Sequence, residues 1–145
     1  MPSHAKLEAD LVVPAPPDRA LHLFTPVGER LWVDGWNPWF PAGEEGDGAI
    51  PGTVFLTEHG GRRTVWTVVA RDDRSARYAR VSPDYWAGIV EVRCREERDG
   101  TTRVTVRYEL TALGEDGRRD LEAFARAYES YIAEWGRLTA AALGD

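Results

Sequence analysis

Cysteine occurs once in this chain, at Cys94, and methionine once, at Met1. Without a second thiol neither an intrachain disulfide nor a thiolate zinc site can form, and a reducing cytoplasm is the expected compartment. Histidine is scarce too: His4, His22 and His59 stand apart, with no metal-ligand spacing to another His or to Cys94. HExxH and GxSxG do not occur, and the glycines of GEEGDG have neither the order nor the strand-before, helix-after setting of a dinucleotide fingerprint. The expectation is a protein without metal or cofactor. No apolar run approaches the roughly 18 residues of a membrane span, and MPSHAKLEAD lacks the basic start and apolar segment of a secretory signal. Lys and Arg number 18 against 24 Asp and Glu, a net charge of −6, and the arginines are interleaved with acids. That distribution disfavours a nucleic-acid partner, which calls for clustered cations. There is no repeat at solenoid or propeller periods.

What is present fits one globular domain over residues 1–145: 43% hydrophobic and 29% charged residues, in a chain long enough to bury a core unaided. Ala5 to Val13 alternates, with Leu7, Ala9, Leu11 and Val13 on one side, and predicts a half-buried strand. Pro14, Pro16 and Pro17 end it. Asp18 can cap a short helix carrying Ala20, Leu21 and Phe24. Thr25 is then a good N-cap and Pro26 a good first residue for a second short helix, with Glu29 near its positive end and Asp34-Gly35 as its stop. The acidic, Gly-rich stretch of residues 42–52 reads as an exposed loop.

Period two then returns for about 60 residues. Thr53 to Glu58, Arg63 to Ala70, Ser75 to Ser82, Gly88 to Glu96 and Thr101 to Ala112 predict five strands joined by short turns, and hence antiparallel neighbours. The last hairpin tests its own register. A two-residue Asp99-Gly100 loop would set Val92 opposite Arg107, whereas a three-residue loop with Gly100 left-handed pairs Val90 with Tyr108, Val92 with Val106 and Cys94 with Val104. The second register segregates the apolar residues and places Tyr108 on the concave face. It also sets Glu91 opposite Arg107, and Arg95 beside Arg103. From Glu115 to Leu143 the spacing predicts one long helix, with Leu121, Phe124, Tyr128, Tyr131, Ile132, Trp135, Leu138 and Ala142 in a stripe. At ~1.5 Å per residue it is roughly 40 Å long and can cross a whole sheet.

The order is strand, two short helices, five antiparallel strands, long terminal helix. It predicts an α+β protein in which a curved sheet of about six strands wraps around the C-terminal helix. In this order, and in "LVVPAPPDRALHLFTPVGE..W", "Y.RVSP", "VTVRYELTALGEDG" and the Trp135 helix, the chain resembles the START-like or SRPBCC superfamily of helix-grip proteins. It is most similar to bacterial stand-alone members of the polyketide cyclase/dehydrase and lipid-transport type. The resemblance implies a deep hydrophobic cavity between sheet and helix, with lipids, polyketides or other apolar molecules as ligands. It does not imply one reaction, because the same container serves transporters, cyclases and chaperone cofactors.

The candidate contacts are aromatic. Trp32, Trp36 and Trp39 fall in the stiff stretch between the second helix and the returning strands, where they either plug the core or line a cavity entrance. Phe124, Tyr128, Tyr131 and Trp135 make the helix stripe bulkier and more polar than sealing a sheet requires. If Arg71 and Ser75 bracket a three-residue turn, Trp66, Val68 and Tyr78 share a face with Tyr108, and Arg80 comes opposite Trp66. There Arg80 is either a carboxylate or phosphate anchor or, as the commoner case, a solvent-exposed residue at the sheet edge. Trp86, in the turn after Pro83-Asp84-Tyr85, is a rim candidate. Cys94 reads as a small buried hydrophobe.

These residues support binding of a small hydrophobic or aromatic molecule as the first reading. A cyclase, dehydrase or hydrolase using the same cavity is the alternative, disfavoured because no inward His, Asp or Glu is legible. A chaperone cofactor of the heat-shock ATPase-activator type is a further one, and a homodimer is compatible with all three.

Overall fold

The computed structural model describes residues 3–144, and of Asp99 the backbone alone. The elements run β1 (His4–Val13), α1 (Pro17–His22), a 3-10 turn (Gly28–Leu31), β2 (Val54–His59), β3 (Arg62–Arg71), β4 (Ser75–Ser82), β5 (Trp86–Glu96), β6 (Thr102–Ala112) and α2 (Glu115–Gly144). The six strands form one antiparallel sheet in the order β1-β6-β5-β4-β3-β2. This is the α+β helix-grip arrangement.

The last hairpin adopts the register that segregates its apolar residues. Val90 faces Tyr108, Val92 faces Val106 and Cys94 faces Val104, with Glu91 opposite Arg107 and Arg95 opposite Arg103. Gly100 takes a φ of 72°, a left-handed conformation that a side chain would strain. Between β3 and β4 the pairing shifts by one residue between Val68 and Ala70, so Arg71 meets Ala76 while Trp66 still meets Arg80. The bulge absorbs the turn and keeps Trp66, Val68 and Tyr78 on the concave face.

Both short helices differ from their expectation. Pro16, not Asp18, holds the N-cap position of α1; Pro17 opens the helix and Asp18 lies in its first turn without a side-chain capping bond. After it comes a single 3-10 turn, since Thr25 uses its hydroxyl twice, donating to the His22 carbonyl at 2.6 Å and accepting from the Gly28 N–H at 3.0 Å. That knot fixes the entry of the segment that roofs the sheet. Trp86 begins β5 rather than ending a turn.

Helix α2 lies along β1 and β6. There Leu11, Val104, Val106, Leu121 and Ile132 are all nearly or fully buried. Gly117 makes the first turn of the helix possible, because a Cβ on it would stand 2.1 Å from the Tyr85 carbonyl oxygen. Ala142, expected on the buried stripe, is exposed, and Thr139 and Leu143 face the protein instead. Away from β1 and β6 the twisted sheet diverges from the helix. Trp32 and Trp36 close over that gap.

Candidate functional site

A cavity of about 520 Å³ occupies the space between β2–β6, α2 and the segment after α1, within the range of small-molecule sites. Its wall carries Trp32, Trp36, Trp66, Tyr78, Trp86, Tyr108, Phe124, Tyr131 and Trp135, nine of the eleven aromatic positions singled out in the sequence. The rings are held by contacts among themselves. Phe55 stacks on Trp66 with centroids 5.6 Å apart and planes at 4°, and Trp135 meets Trp32 edge-on at 5.2 Å. Four of the five indole N–H groups on this wall have a fixed acceptor: Trp32 donates to the Leu23 carbonyl, Trp36 to the Pro26 carbonyl, Trp66 to the Thr57 hydroxyl and Trp86 to the Gly117 carbonyl. Satisfied donors and interlocked rings make a preformed surface.

Two of the eleven positions lie elsewhere. Trp39 is 62% exposed, where its backbone bridges to Leu56 on the outer edge of β2. Tyr128 is buried beside β6 and donates its hydroxyl to the Val106 carbonyl at 2.7 Å, so it packs in the core rather than on the cavity wall. Tyr131 is 42% exposed and stands at the mouth, against Phe124 and Trp135. Near it the cavity opens past His59 and Arg62, whose guanidinium lies 3.7 Å over the Tyr85 ring.

The lining includes the exposed Asp34, Glu58, His59, Arg62 and Glu134, whereas two further ionisable side chains on it, Arg80 and Glu29, are shielded from solvent, and both correct the sequence reading. Arg80 is not solvated at a sheet edge. Strand β4 is internal to the sheet, and the guanidinium sits over Trp66 at 4.8 Å and near Trp86 at 5.7 Å. One terminal nitrogen donates weakly to the Ser82 hydroxyl at 3.3 Å, while Nε is buried with no partner among the described residues. Burial lowers its pKa, and no carboxylate among the described residues stands beside it. The period-two run Tyr78, Arg80, Ser82 already contained this placement, since all three share one strand face.

Glu29 is a shielded carboxyl on the cavity lining, where the sequence pattern predicts none. It projects from the 3-10 turn three residues before Trp32, and side chains at that spacing in a 3-10 turn eclipse, so both line the cavity. Burial raises it from an ordinary 4.5 to about 8. No cation among the described residues compensates, and its negative form in turn raises the hydroxyls of Tyr78, Tyr108 and Tyr131. A carboxyl so tuned is largely protonated at neutral pH and can donate a hydrogen bond or exchange a proton. The missed signal was the helical spacing of Glu29 to Trp32 within GERLW.

Cys94 is buried in the sheet, with its thiol pushed up to about 11 by desolvation, and is unreactive there. Among the described residues, no group of three or more His, Cys, Asp or Glu could hold a metal ion, and no helix is long and apolar enough to cross a membrane.

A curved sheet gripping a C-terminal helix, with an aromatic cavity between them, defines the helix-grip fold. Within that fold class the chain matches, over residues 4–142, the family described as polyketide cyclase / dehydrase and lipid transport. It belongs to that family. No curated protein matches it by sequence. Among solved structures it is similar to the Mll3558 protein of Rhizobium loti, at 22% identity and a TM-score of 0.65, covering 97% of each chain. It is similar to the ZhuI aromatase/cyclase of Streptomyces sp. R1128, at 16% identity and a TM-score of 0.65, covering 96% of this chain and 93% of that one. An HSP90 activator from Plasmodium falciparum aligns at 15% identity and a TM-score of 0.53, covering 71% of each chain. At these identities the likeness is one of fold.

Proposed function

We propose that this protein binds a hydrophobic or aromatic small molecule, lipid or polyketide-like, in the cavity between the sheet and α2. The observation that carries this reading is the preformed aromatic wall around about 520 Å³ of space. The proposed contacts are Trp32, Trp36, Trp66, Tyr78, Trp86, Tyr108, Phe124, Tyr131 and Trp135. Trp39 and Tyr128 are left out because they lie off the wall. A lone buried thiol suits a reducing, cytoplasmic setting, which we include in the proposal.

Five of the six tryptophans border the cavity, so occupancy has an intrinsic reporter. Titration with 1-anilinonaphthalene-8-sulfonate or a long-chain fatty acid is expected to quench tryptophan emission saturably at one site per chain. Absence of saturable binding across an apolar panel, with the protein folded, overturns the reading.

One observation favours a second reading, catalysis of the cyclase or dehydrase type. Glu29, raised to about 8, has the pKa of a group that exchanges protons near neutrality. Turnover of a polyketide-like substrate that is lost in Glu29→Gln while affinity is kept would establish it over simple binding.

A further inference from the structure

The cavity occupies the concave face of the sheet, and the outward face divides into two halves of different chemistry. Around β6 and β1 it carries charges that are already paired. Arg107 binds Glu8 at 3.1 Å and Glu91 at 3.5 Å, and Arg103 binds Asp10 at 3.5 Å. That half is satisfied within one chain. On the other half the register sets Trp39 beside Leu56, Leu56 beside Val65, Val65 beside Val81 and Val81 beside Ala87, an apolar row that crosses four strands and the bridge at their edge. Directly paired residues point to the same side of a sheet. Phe55, Trp66 and Trp86, which adjoin this row along the chain, line the cavity, so the row itself faces out. The adjacent outward row, Val54, Thr67, Ala79 and Ile89, is uncharged as well.

An antiparallel sheet with one solvated face ordinarily turns polar residues to water. Here Trp39 is 62% exposed, Val81 43% and Val54 40%. Trp39 exchanges both backbone hydrogen bonds with Leu56 and thereby occupies the edge of β2 at that point, so what stays open is the face. With strands ~4.8 Å apart and outward residues ~7 Å apart along each strand, the two rows cover roughly 300 Å² before their rim is counted. A stable interface takes about 800 Å² from each partner, so this face suits a reversible contact. Neither row holds a charged residue. An anionic lipid surface gains nothing from a patch without Lys or Arg, whereas a second copy of this chain, with its net charge of −6, can approach only where charge is missing. The sizes in the first row also fall steadily, from Trp39 through Leu56, Val65 and Val81 to Ala87. A copy turned about a two-fold axis parallel to the strands through Val65 lays its Ala87 on Trp39, its Val81 on Leu56 and its Val65 on Val65. Large then meets small along the whole row, and the two faces pack at an even spacing.

We propose that this chain forms a reversible two-fold dimer through the outward apolar face of β2–β5, with Trp39 of each copy seated on Ala87 of the other. The contact uses the side of the sheet opposite the cavity and is independent of the binding reading above. It gives Trp39, the one tryptophan off the cavity wall, the role of an interface anchor.

Sedimentation velocity of the full chain tests it. Between about 1 μM and about 1 mM the sedimentation coefficient is expected to rise from that of a monomer to that of a dimer. Val81→Lys, at an exposed position, is expected to weaken the dimer at least tenfold by placing an unpaired charge in the contact. Trp39→Ala and Ala87→Trp are each expected to weaken it about tenfold, one by emptying the contact and the other by overfilling it. The double variant, in which the large and small residues have exchanged places, should recover the original affinity to within about threefold. Thermal melts and the tryptophan-quenching titration of the cavity establish that each variant is folded, and Val81→Lys decides alone if an Ala87→Trp chain is not. A monomer at every concentration overturns the proposal. So does a dimer unmoved by Val81→Lys, which would place the interface elsewhere, or a double variant as weak as its parents, which would exclude the stacking of Trp39 on Ala87. A monomer that instead co-sediments with phosphatidylglycerol vesicles also overturns it, because the face would then belong to a membrane.

Discussion

Helix α2 carries two stripes, and the two regions of sheet beneath them are built differently. Leu121, Tyr128, Ile132 and Thr139 face β1 and β6 and are buried, Ile132 completely. Phe124, Tyr131, Trp135 and Leu138 face the cavity. Three pairs repeat at an offset of three residues, 121 and 124, 128 and 131, 132 and 135, which on a helix of ~100° per residue turns the second stripe about 60° from the first. One stripe meets valines at close range and fills its space. The other packs against the rings of Trp32, Trp86 and Tyr108 and leaves free space beside them, and it is there that a shielded carboxyl and guanidinium line the cavity. The same helix therefore seals one half of the sheet and roofs a container over the other, and the dividing line runs between residues that are neighbours in sequence.

The sharpest way to break this comparison is to cut one residue from each stripe. Ile132→Ala opens a void in a packed region and is expected to cost about 3 kcal/mol in urea unfolding, with probe affinity unchanged. Trp135→Ala removes a larger side chain, but one already bordering free space, and is expected to cost less than Ile132→Ala while weakening the aromatic probe. Equal or reversed stability losses would mean that the cavity half is as tightly packed as the other.

A smaller effect comes from Glu29 alone. Its folded pKa of about 8 lies above its ordinary 4.5, so the folded chain keeps a proton that the unfolded chain has released. Stability from this group is therefore complete below about pH 4.5 and is lost as the pH rises toward about 8. Because Glu29 is half-buried and water entering the cavity would solvate part of the charge, the loss is expected to be on the order of 2 kcal/mol. The difference in unfolding free energy between the unsubstituted protein and Glu29→Gln, followed from pH 5 to pH 9, measures it. A difference that stays flat across that range would place the Glu29 carboxyl in contact with bulk solvent.

The fold was legible because alternation and turn chemistry agree. Only one register of the last hairpin separates Val92 and Val106 from Arg107, and that register is the one formed. The long helix was equally plain, but its two stripes merged into one in the sequence. A spacing of three or four residues marks a buried arc without saying what lies opposite, so Tyr128 could not be told from Tyr131. Trp39 was grouped with Trp32 and Trp36 by adjacency, although the chain turns outward to pair with Leu56 before reaching it. Arg80 and Glu29 were misread for a common physical reason. A charged residue is expected in water, and only the closure of the roof segment over an internal strand puts both of them out of it.

The finest test of the comparison removes one oxygen atom from each half. Tyr128 and Tyr108 approach each other at 5.8 Å between ring centroids, yet their hydroxyls have different surroundings. Tyr128 donates to the Val106 carbonyl, so Tyr128→Phe is expected to cost about 1 kcal/mol of stability and leave ligand affinity alone. The Tyr108 hydroxyl lies on the cavity wall beside Tyr131, where burial holds its pKa well above the usual range. Tyr108→Phe is expected to change stability by less than about 0.5 kcal/mol and to weaken an oxygen-bearing aromatic probe about fivefold, while leaving naphthalene unaffected. If instead the two substitutions cost the same stability and the same affinity, the boundary drawn between the packed stripe and the cavity stripe does not exist at this pair. The contrast in urea midpoints and probe titrations decides it, because both substitutions delete the same atom from rings that touch.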